Sequence, residues 1–376
     1  MLRVLHCIYD DPENPWVGGG GALRVREIYR RLGGEVDATV VTGSYPGAVD
    51  GERYGVRYRR LGAEGPYPLS RLSFGLAATR LLALGGYDAG IFDYSVYTPI
   101  RLPRDRPVGL VVHMLHGPTA RGRWGAVGAA VLDRLEAAGI RSARWISTTS
   151  EWMVAQLRPI VAPEARIVPV GSGIPPEFAA VRREEQDYLL YYGRLDVYQK
   201  GLDTLLAAFT QLRTTSPVRL VVAGRGKDAG RLREMIDGAG LRESVDLRLG
   251  LDRAAILDLM GGALALVMPS RLEGLPMVPA EAMAAGLPVI AARVGAMEEI
   301  VVAEVTGLLV PPADVPALAA AMRRVVSDAH LRQRFSNEAR RSADRFSWDR
   351  VARAHLEFLH SVAGTAGTGV PAPTGE

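Results

Sequence analysis

Cysteine, lysine and long apolar runs are scarce in this sequence, and the first and third of these absences exclude structural features. The single cysteine, Cys7, excludes an internal disulfide. No apolar run approaches the ~20 residues of a membrane-spanning helix. The opening residues reach two acidic side chains where a signal peptide would continue its apolar segment. We therefore expect a cytoplasmic protein. Only two of the 45 basic residues are lysines, Lys200 and Lys227.

The net charge is small, at +4 for 376 residues, and all of the excess lies in the first 180 residues. This excess fits an anionic acceptor, weak peripheral contact with an anionic membrane surface, or simply a solvated arginine-rich surface. The sequence has no basic stripe with interleaved aromatic residues, which argues against nucleic acid as a partner. It also has no Asp-x-Asp motif and no Cys/His cluster with metal-ligand spacing, so we expect neither a metal nor a cofactor.

Short apolar runs alternate with helix-like stretches along the whole chain, which predicts an α/β fold with doubly wound parallel sheets. The predicted strands span 3–9, 36–42, 87–92, 107–114, 144–149 and 166–170, and then 188–193, 218–224, 245–250, 263–270, 287–292 and 306–310. A Gly/Pro-rich and charged segment at 171–187 is typical of an interdomain linker. We expect a first domain over 1–180, a second over 181–346 and a flexible tail over 363–376.

Parallel sheets bind ligands beyond the carboxyl ends of their strands, so the motifs there matter most. The first strand is followed by four glycines, Gly18, Gly19, Gly20 and Gly21, directly before a helix whose apolar residues recur at helical spacing. Consecutive glycines let backbone N–H groups approach an anion at a helix N-terminus, although a flexible turn explains such a run equally well.

The second domain opens with GRLDVYQKG, which places Arg194 after a strand and Lys200 before a helix. Two fixed cations at a strand end suit a diphosphate, since they neutralise charge that grows on it as a bond breaks. A solvated surface pair is the alternative. Farther along, EGLPMVPAE places Glu273 on a strand-end loop and Glu281 in the first turn of the next helix. Carboxylates accept hydrogen bonds from sugar and ribose hydroxyls, and the intervening amides suit phosphate.

These two motifs together resemble the retaining, nucleotide-sugar-dependent glycosyltransferases of family 4, which have the GT-B fold of two Rossmann-like domains facing each other across a cleft. The resemblance extends to TTSEWMVAQL, RIVPVGSGI, LVVAGRG and the carboxy-terminal FSWDRVARAHLEFL. The last segment resembles the family's crossing helix, which implies that a helix over 347–362 completes the first domain. A plain terminal helix capped by Ser347 is the alternative.

The resemblance implies a role for each matching residue. Arg194 and Lys200 would hold the donor diphosphate, Glu273 the transferred sugar and Glu281 the ribose, with the glycine run closing over the diphosphate. The spacing between Arg194 and Lys200 is one residue longer than is common in the family. The backbone positions implied at the donor are Gly193, Gly274, Leu275, Pro276 and Met277.

In the first domain, the family commonly has a histidine that lines the reacting sugar and the acceptor, at the strand end represented here by VVHMLHGP. His116, followed by Gly-Pro, fits this match better than His113, for which a packed strand-end residue is the preferred interpretation. Further acceptor candidates are residues predicted to lie on loops that face the acceptor: Trp16, Asp93, Tyr94, Arg121 and Trp124.

We therefore expect a retaining, metal-independent transfer of a sugar from a nucleotide-sugar donor to an acceptor hydroxyl of a natural product, a lipid-linked intermediate or a polysaccharide. Three other functions stay open at this point. They are a sugar-nucleotide epimerase, a glycan phosphorylase and a nucleotide-sugar-binding protein without turnover.

Overall fold

A computed structural model describes residues 1–16, 19–95, 101–115 and 117–364, although the side chains of 117–124 lie outside the description. The chain divides into two compact units, Met1–Gly173 with Trp348–Glu376, and Ile174–Ser347. The predicted boundary at residue 180 therefore differs from the observed one. The physical reason is Phe178, which lies in the segment interpreted as a linker but is fully buried in the core of the second unit.

The first unit contains an eight-stranded sheet with the strand order β3-β4-β2-β1-β5-β6-β7-β8. Central strands β5 and β6 are buried along their whole length, as expected for a parallel sheet that is covered on both faces. The strands are β1 (Leu2–Cys7), β2 (Val36–Gly43), β3 (Gly51–Arg53), β4 (Val56–Leu61), β5 (Ala89–Asp93), β6 (Val108–Val112), β7 (Trp145–Thr148) and β8 (Arg166–Pro169), with helices α1 (Gly20–Leu32), α2 (Tyr67–Leu84), α3 (Gly117–Arg141) and α4 (Glu151–Leu157).

The sequence pattern predicts no strand between residues 42 and 87, and the β3–β4 hairpin corrects this prediction. Tyr54 and Gly55 both have positive φ, which is the geometry of a tight two-residue hairpin turn. β4 pairs in parallel with β2, and the short β3 pairs antiparallel with β4 at the sheet edge. Buried Val56 and Tyr58 alternate with exposed arginines, so the period-2 signal was present but short and highly charged.

The second unit contains a six-stranded, fully parallel sheet with the order β11-β10-β9-β12-β13-β14. The predicted α/β class with two parallel sheets is thus confirmed. The strands are β9 (Tyr188–Arg194), β10 (Arg219–Arg225), β11 (Val245–Leu249), β12 (Leu266–Met268), β13 (Val289–Ala292) and β14 (Gly307–Val310). The helices are α5 (Leu202–Arg213), α6 (Ala229–Gly238), α7 (Arg253–Gly262), α8 (Met277–Ala284), α9 (Met297–Ile300), α10 (Val315–Ser327) and α11 (Ala329–Ala343).

The last helix, α12 (Trp348–Ala363), belongs to the first unit. Its apolar face packs into the same core as the buried face of α1, through residues such as Trp348, Leu356 and Leu359. Gly173 is required where α12 begins, since a Cβ there would lie 2.3 Å from the Trp348 ring. Among the described helices, none is long and apolar enough to cross a membrane.

Candidate active site

Two loops meet at the carboxyl edge of the second sheet, one after β9 and one after the neighbouring strand β12. Lys200 Nζ on the first loop lies 2.6 Å from Glu273 Oε1 on the second. Both side chains are largely shielded from solvent, with 12% and 8% of their surface exposed. Ser270 Oγ donates a second hydrogen bond to the same oxygen, at 2.7 Å. The structure therefore brings together two sequence-predicted residues that lie 73 positions apart in the chain.

Close backbone contacts fix these two loops. Gly201 precedes α5 with φ +64°, and a Cβ at this position would lie 2.0 Å from the carbonyl oxygen of Pro269. Gly295, with φ +57°, approaches the Glu273 carbonyl in the same way, at 2.2 Å from its ideal Cβ. Only glycine fits both the backbone conformation and the space. Lys200 and Glu273 are consequently held in place by their own neighbours in the backbone.

Arg271 joins the two loops through its side chain. Its guanidinium binds the Asp203 carboxylate through two hydrogen bonds of 2.7 and 2.9 Å, and it also donates to the Tyr198 carbonyl at 3.0 Å. Burial raises the pKa of Asp203, but Arg271 more than offsets this, so the pKa lies below its usual value. The sequence does not predict this pair, because no motif indicates a contact between residues 68 positions apart.

Arg194 is the last residue of β9 and is exposed. Its Nη2 donates to Gln199 Oε1 at 2.6 Å. The loop from Arg194 to Lys200 closes on Asp196, whose carboxylate accepts from the Gln199 amide and whose carbonyl accepts from the Lys200 amide. A turn on Asp196 therefore shapes the loop between Arg194 and Lys200. The remaining lysine, Lys227, is mostly exposed and lies 3.6 Å from Asp196.

Glu281 lies in the second turn of α8, which corrects the prediction that it occupies the first turn. α8 begins at Met277, and Pro279 lies within the first turn, where no intrahelical N–H bond is needed. Burial raises the pKa of Glu281 to about 7, although Arg253, 3.8 Å away, partly counteracts it. Glu281 therefore changes charge in the neutral range. Gly274, Leu275 and Pro276 form the turn immediately before α8.

At the carboxyl edge of the first sheet, Asp93 ends β5 and His113 follows β6. His113 Nε2 lies 3.0 Å from Asp93 Oδ2. The glycine run is close by, since a Cβ at Gly21 would lie 3.7 Å from His113 Nε2 and 3.9 Å from Asp10 Oδ2. His116 and Gly18 lie outside the described residues. His113 was interpreted as a packed residue, yet its side chain is 30% exposed and faces a buried carboxylate.

Several acceptor candidates do not lie on exposed loops as predicted. Asp93 and Tyr94 are both buried, because β5 runs one residue farther than predicted and the Tyr94 amide still bonds to Val111. Arg121 and Trp124 belong to α3 rather than to a loop, and their side chains lie outside the described part. Trp16 is partly exposed and packs edge-to-face on Tyr67.

Comparison with known proteins is consistent with this geometry. The family described as Glycosyl transferases group 1 matches residues 176–342, and the family described as Glycosyl transferase 4-like domain matches residues 19–173. The chain belongs to these glycosyltransferases. The two matched ranges correspond to the two structural units except for α12, and together they leave residues 1–18, 174–175 and 343–376 unmatched.

Several similar proteins support the same family and fold. A glycogen synthase of Mycobacterium tuberculosis is 33% identical over 254 residues, which are 65% of this chain and 61% of that protein. Sucrose-phosphate synthase from Thermosynechococcus elongatus has a TM-score of 0.81 at 23% identity, with 97% of this chain and 100% of that chain covered. Anabaena HepE in complex with UDP-glucose has a TM-score of 0.69 at 19% identity, covering 96% and 100%.

The fold is therefore GT-B, and the structural likeness at these identities shows the fold alone. The matched segments of this glycosyltransferase span about half the length of the curated relatives, 44% of one and 61% of another. Among the described residues, no group of three or more His, Cys, Asp or Glu side chains could hold a metal ion.

Proposed function

We propose that this protein transfers a sugar from a nucleotide-diphosphate sugar to an acceptor hydroxyl, with retention of anomeric configuration and without a metal or cofactor. The observation that carries the proposal is the meeting of Lys200, Glu273 and Ser270 at the carboxyl edge of the second sheet. A buried cation beside a carboxylate suits a substrate in which a diphosphate and a sugar are joined.

The proposed step needs no protein nucleophile. The bond between the anomeric carbon and the donor diphosphate breaks, and the acceptor oxygen bonds to that carbon on the same face. The departing diphosphate takes the acceptor proton. Arg194, Lys200 and the amides at the start of α8 stabilise the negative charge that develops on the diphosphate. Cations in place of a metal are supported by the absence of an Asp-x-Asp motif from the sequence.

Glu273 and Glu281 divide the rest of the donor in this proposal. Glu273 accepts hydrogen bonds from hydroxyls of the transferred sugar once the donor diphosphate competes for Lys200. Glu281, buried and 3.8 Å from Arg253, accepts from the ribose hydroxyls. The first unit takes the acceptor, and Trp16 is the exposed aromatic candidate there. The glycine run before α1 stays a prediction for phosphate contact.

A donor screen followed by product analysis tests this proposal. A bound donor at 100 times its Kd adds about 2.7 kcal/mol to the free energy of unfolding, so thermal unfolding identifies the nucleotide and sugar. The donor is then incubated with acceptors of the three expected classes, and the anomeric coupling constant of the product is measured by NMR. Retention supports the proposal, and inversion contradicts it. An isomerised donor, strict phosphate dependence or binding without turnover would identify one of the other functions instead.

A further inference from the structure

A chain of buried hydrogen bonds runs from His113 at the edge of the first sheet into the core and ends on α12. Asp93 is bound by His113 Nε2 at 3.0 Å and by His6 Nε2 at 3.1 Å. His6 Nδ1 lies 2.8 Å from the Tyr29 hydroxyl, which lies 3.3 Å from His355 Nε2. Four elements contribute these groups besides the segment after β6, namely β5, β1, α1 and α12. We call the five residues the histidine relay.

Because the relay is buried, its stability depends on the direction of each hydrogen bond. Apart from His113, every member is at least 95% buried, so water does not compete for these groups. An unmatched donor or acceptor would therefore be destabilising. Each proton in the relay must consequently lie on the atom that leaves its neighbour satisfied.

The charges assign those protons. Burial raises the pKa of Asp93, but His6 and His113 more than offset this and hold the pKa well below its usual range. The Asp93 carboxylate therefore only accepts, and both imidazoles must donate to it from Nε2. Burial keeps the Tyr29 hydroxyl protonated by raising its pKa. Burial and the nearby Arg24 guanidinium together hold the pKa of His355 well below its usual value, so His355 is neutral.

With neutral His6 and His113 imidazoles, one direction is consistent with these assignments. His355 Nε2–H donates to the Tyr29 oxygen, Tyr29 O–H donates to His6 Nδ1, and His6 Nε2–H donates to Asp93. From the other side, His113 Nε2–H donates to Asp93, which leaves His113 Nδ1 as a hydrogen-bond acceptor.

We propose that His6, Tyr29 and His355 are positioning residues that act through Asp93 to fix the tautomer and ring orientation of His113, which presents Nδ1 to a substrate hydroxyl. Because His355 lies on α12, the carboxy-terminal helix is then part of the transferase machinery as well as of the core. The inference rests on the proposed function, since it assigns His113 to a substrate.

The relay can be tested without any activity. In histidine-labelled protein, correlation of each ring nitrogen with the ring protons identifies the tautomer of all six histidines. We expect His113 and His6 in the Nε2–H form. In Asp93→Asn, the side-chain amide accepts one hydrogen bond and donates one, so one of the two imidazoles must change to the Nδ1–H form. Wild-type His113 in the Nδ1–H form, or no tautomer change in Asp93→Asn, would overturn the relay.

Kinetics test whether the relay acts through His113. Asp93→Asn should lower kcat about 10- to 100-fold, with the donor KM within about twofold of wild type, by analogy with other residues that orient a ligand group. In a His113→Ala background, the same change should lower kcat less than about threefold further, because its target is gone. Losses that simply multiply in the double variant would contradict the proposal.

Two further variants separate positioning from folding. Tyr29→Phe removes one buried hydroxyl with little change in volume and should lower kcat about threefold to tenfold; wild-type kcat in this variant would contradict a role for α12. Asp88→Asn is the matched control, since Asp88 lies just before β5 and binds Arg3 at the opposite end from Asp93. Its kcat should equal that of wild type. If no nucleotide sugar is turned over by wild type, the proposed function fails, whereas the tautomer measurement still decides the relay.

Discussion

The carboxyl edges of the two sheets hold polar side chains in different ways. At the edge of the second sheet, glycine backbone contacts and the Arg271–Asp203 pair fix the loops, and Lys200 and Glu273 lie in direct contact. At the edge of the first sheet, a buried carboxylate is shared between two imidazoles, and the hydrogen bonds continue into the core. The first arrangement depends on shape, whereas the second depends on where protons lie.

This difference fits the binding of different substrates at the two edges. A donor diphosphate and its sugar present many polar atoms in a fixed pattern, which a rigid loop pair with preset charges can match. An acceptor hydroxyl presents one donor and one acceptor, so a side chain with a defined tautomer suits it. Substitutions at the second edge should therefore affect donor binding and bond cleavage, and those at the first edge the use of the acceptor.

The largest effect should come from Lys200. Lys200→Ala removes the cation that neutralises the departing diphosphate, and turnover should fall about 10²-fold or more, as it should in Arg194→Ala. Steady-state kinetics with donor and acceptor measure this. Lys200→Ala also leaves Glu273 buried without its cation, at a cost of about 3 kcal/mol of stability, so the folded fraction is measured in parallel.

The chain supplies its own control for that substitution. Lys227 is the other lysine, 76% exposed at 3.6 Å from Asp196, and Lys227→Ala should turn over as wild type does. Near-normal turnover in both Arg194→Ala and Lys200→Ala would remove these residues from the mechanism.

The next largest effect should come from Gly201, and it tests whether close backbone contacts hold the loops at the edge of the second sheet. Gly201→Ala forces a Cβ against the Pro269 carbonyl, 2.0 Å away, and should lower both the free energy of unfolding and donor affinity. Gly240 has nearly the same φ, +67°, with open space around it. Gly240→Ala should thus cost only the backbone strain, about 1 kcal/mol. We expect Gly201→Ala to be at least about 2 kcal/mol less stable than Gly240→Ala in denaturant unfolding; equal stabilities would contradict the close contact.

The smallest effect on donor binding concerns Glu281, whose pKa is about 7. Ribose hydroxyls donate to the ionised carboxylate, so donor binding should tighten about tenfold between pH 6 and pH 8. A nucleotide sugar is the right probe, since its diphosphate carries no group that titrates there. Calorimetric titration across this range gives the profile, and Glu281→Gln should bind weakly with a flat one. A wild-type affinity independent of pH would exclude Glu281 from the ribose site.

The same pKa has a consequence for stability with the opposite sign. Burial raises the pKa of Glu281 above its value in the unfolded chain, so its favourable contribution is complete below about pH 4.5 and is lost as pH rises through about 7. Without donor, Glu281→Gln should therefore be more stable than wild type at pH 8, by up to about 3 kcal/mol. Unfolding in urea at both pH values measures this, and a variant less stable than wild type at pH 8 would contradict the burial argument.

The sequence predicts the site residues at the carboxyl edge of the second sheet better than those at the carboxyl edge of the first. Lys200 and Glu273 stand at strand ends with glycines beside them, so local pattern and topology are enough to bring them to one edge. The contact between Tyr29 and His355 spans 326 residues, and His6, Tyr29 and His355 lie within helices or strands where they resemble core residues. Asp93 was predicted to lie on a loop, because the pattern does not show that β5 continues to this residue.

The proposed function requires that the carboxyl edge of the second sheet binds a nucleotide sugar through Lys200. This binding is measured by calorimetric titration of a panel of nucleotide sugars into wild type, Lys200→Ala and Lys227→Ala. At least one nucleotide sugar should bind wild type and Lys227→Ala equally, and should bind Lys200→Ala at least about tenfold more weakly. Binding that is unchanged in Lys200→Ala, or no binding of any nucleotide sugar to wild type, would contradict it.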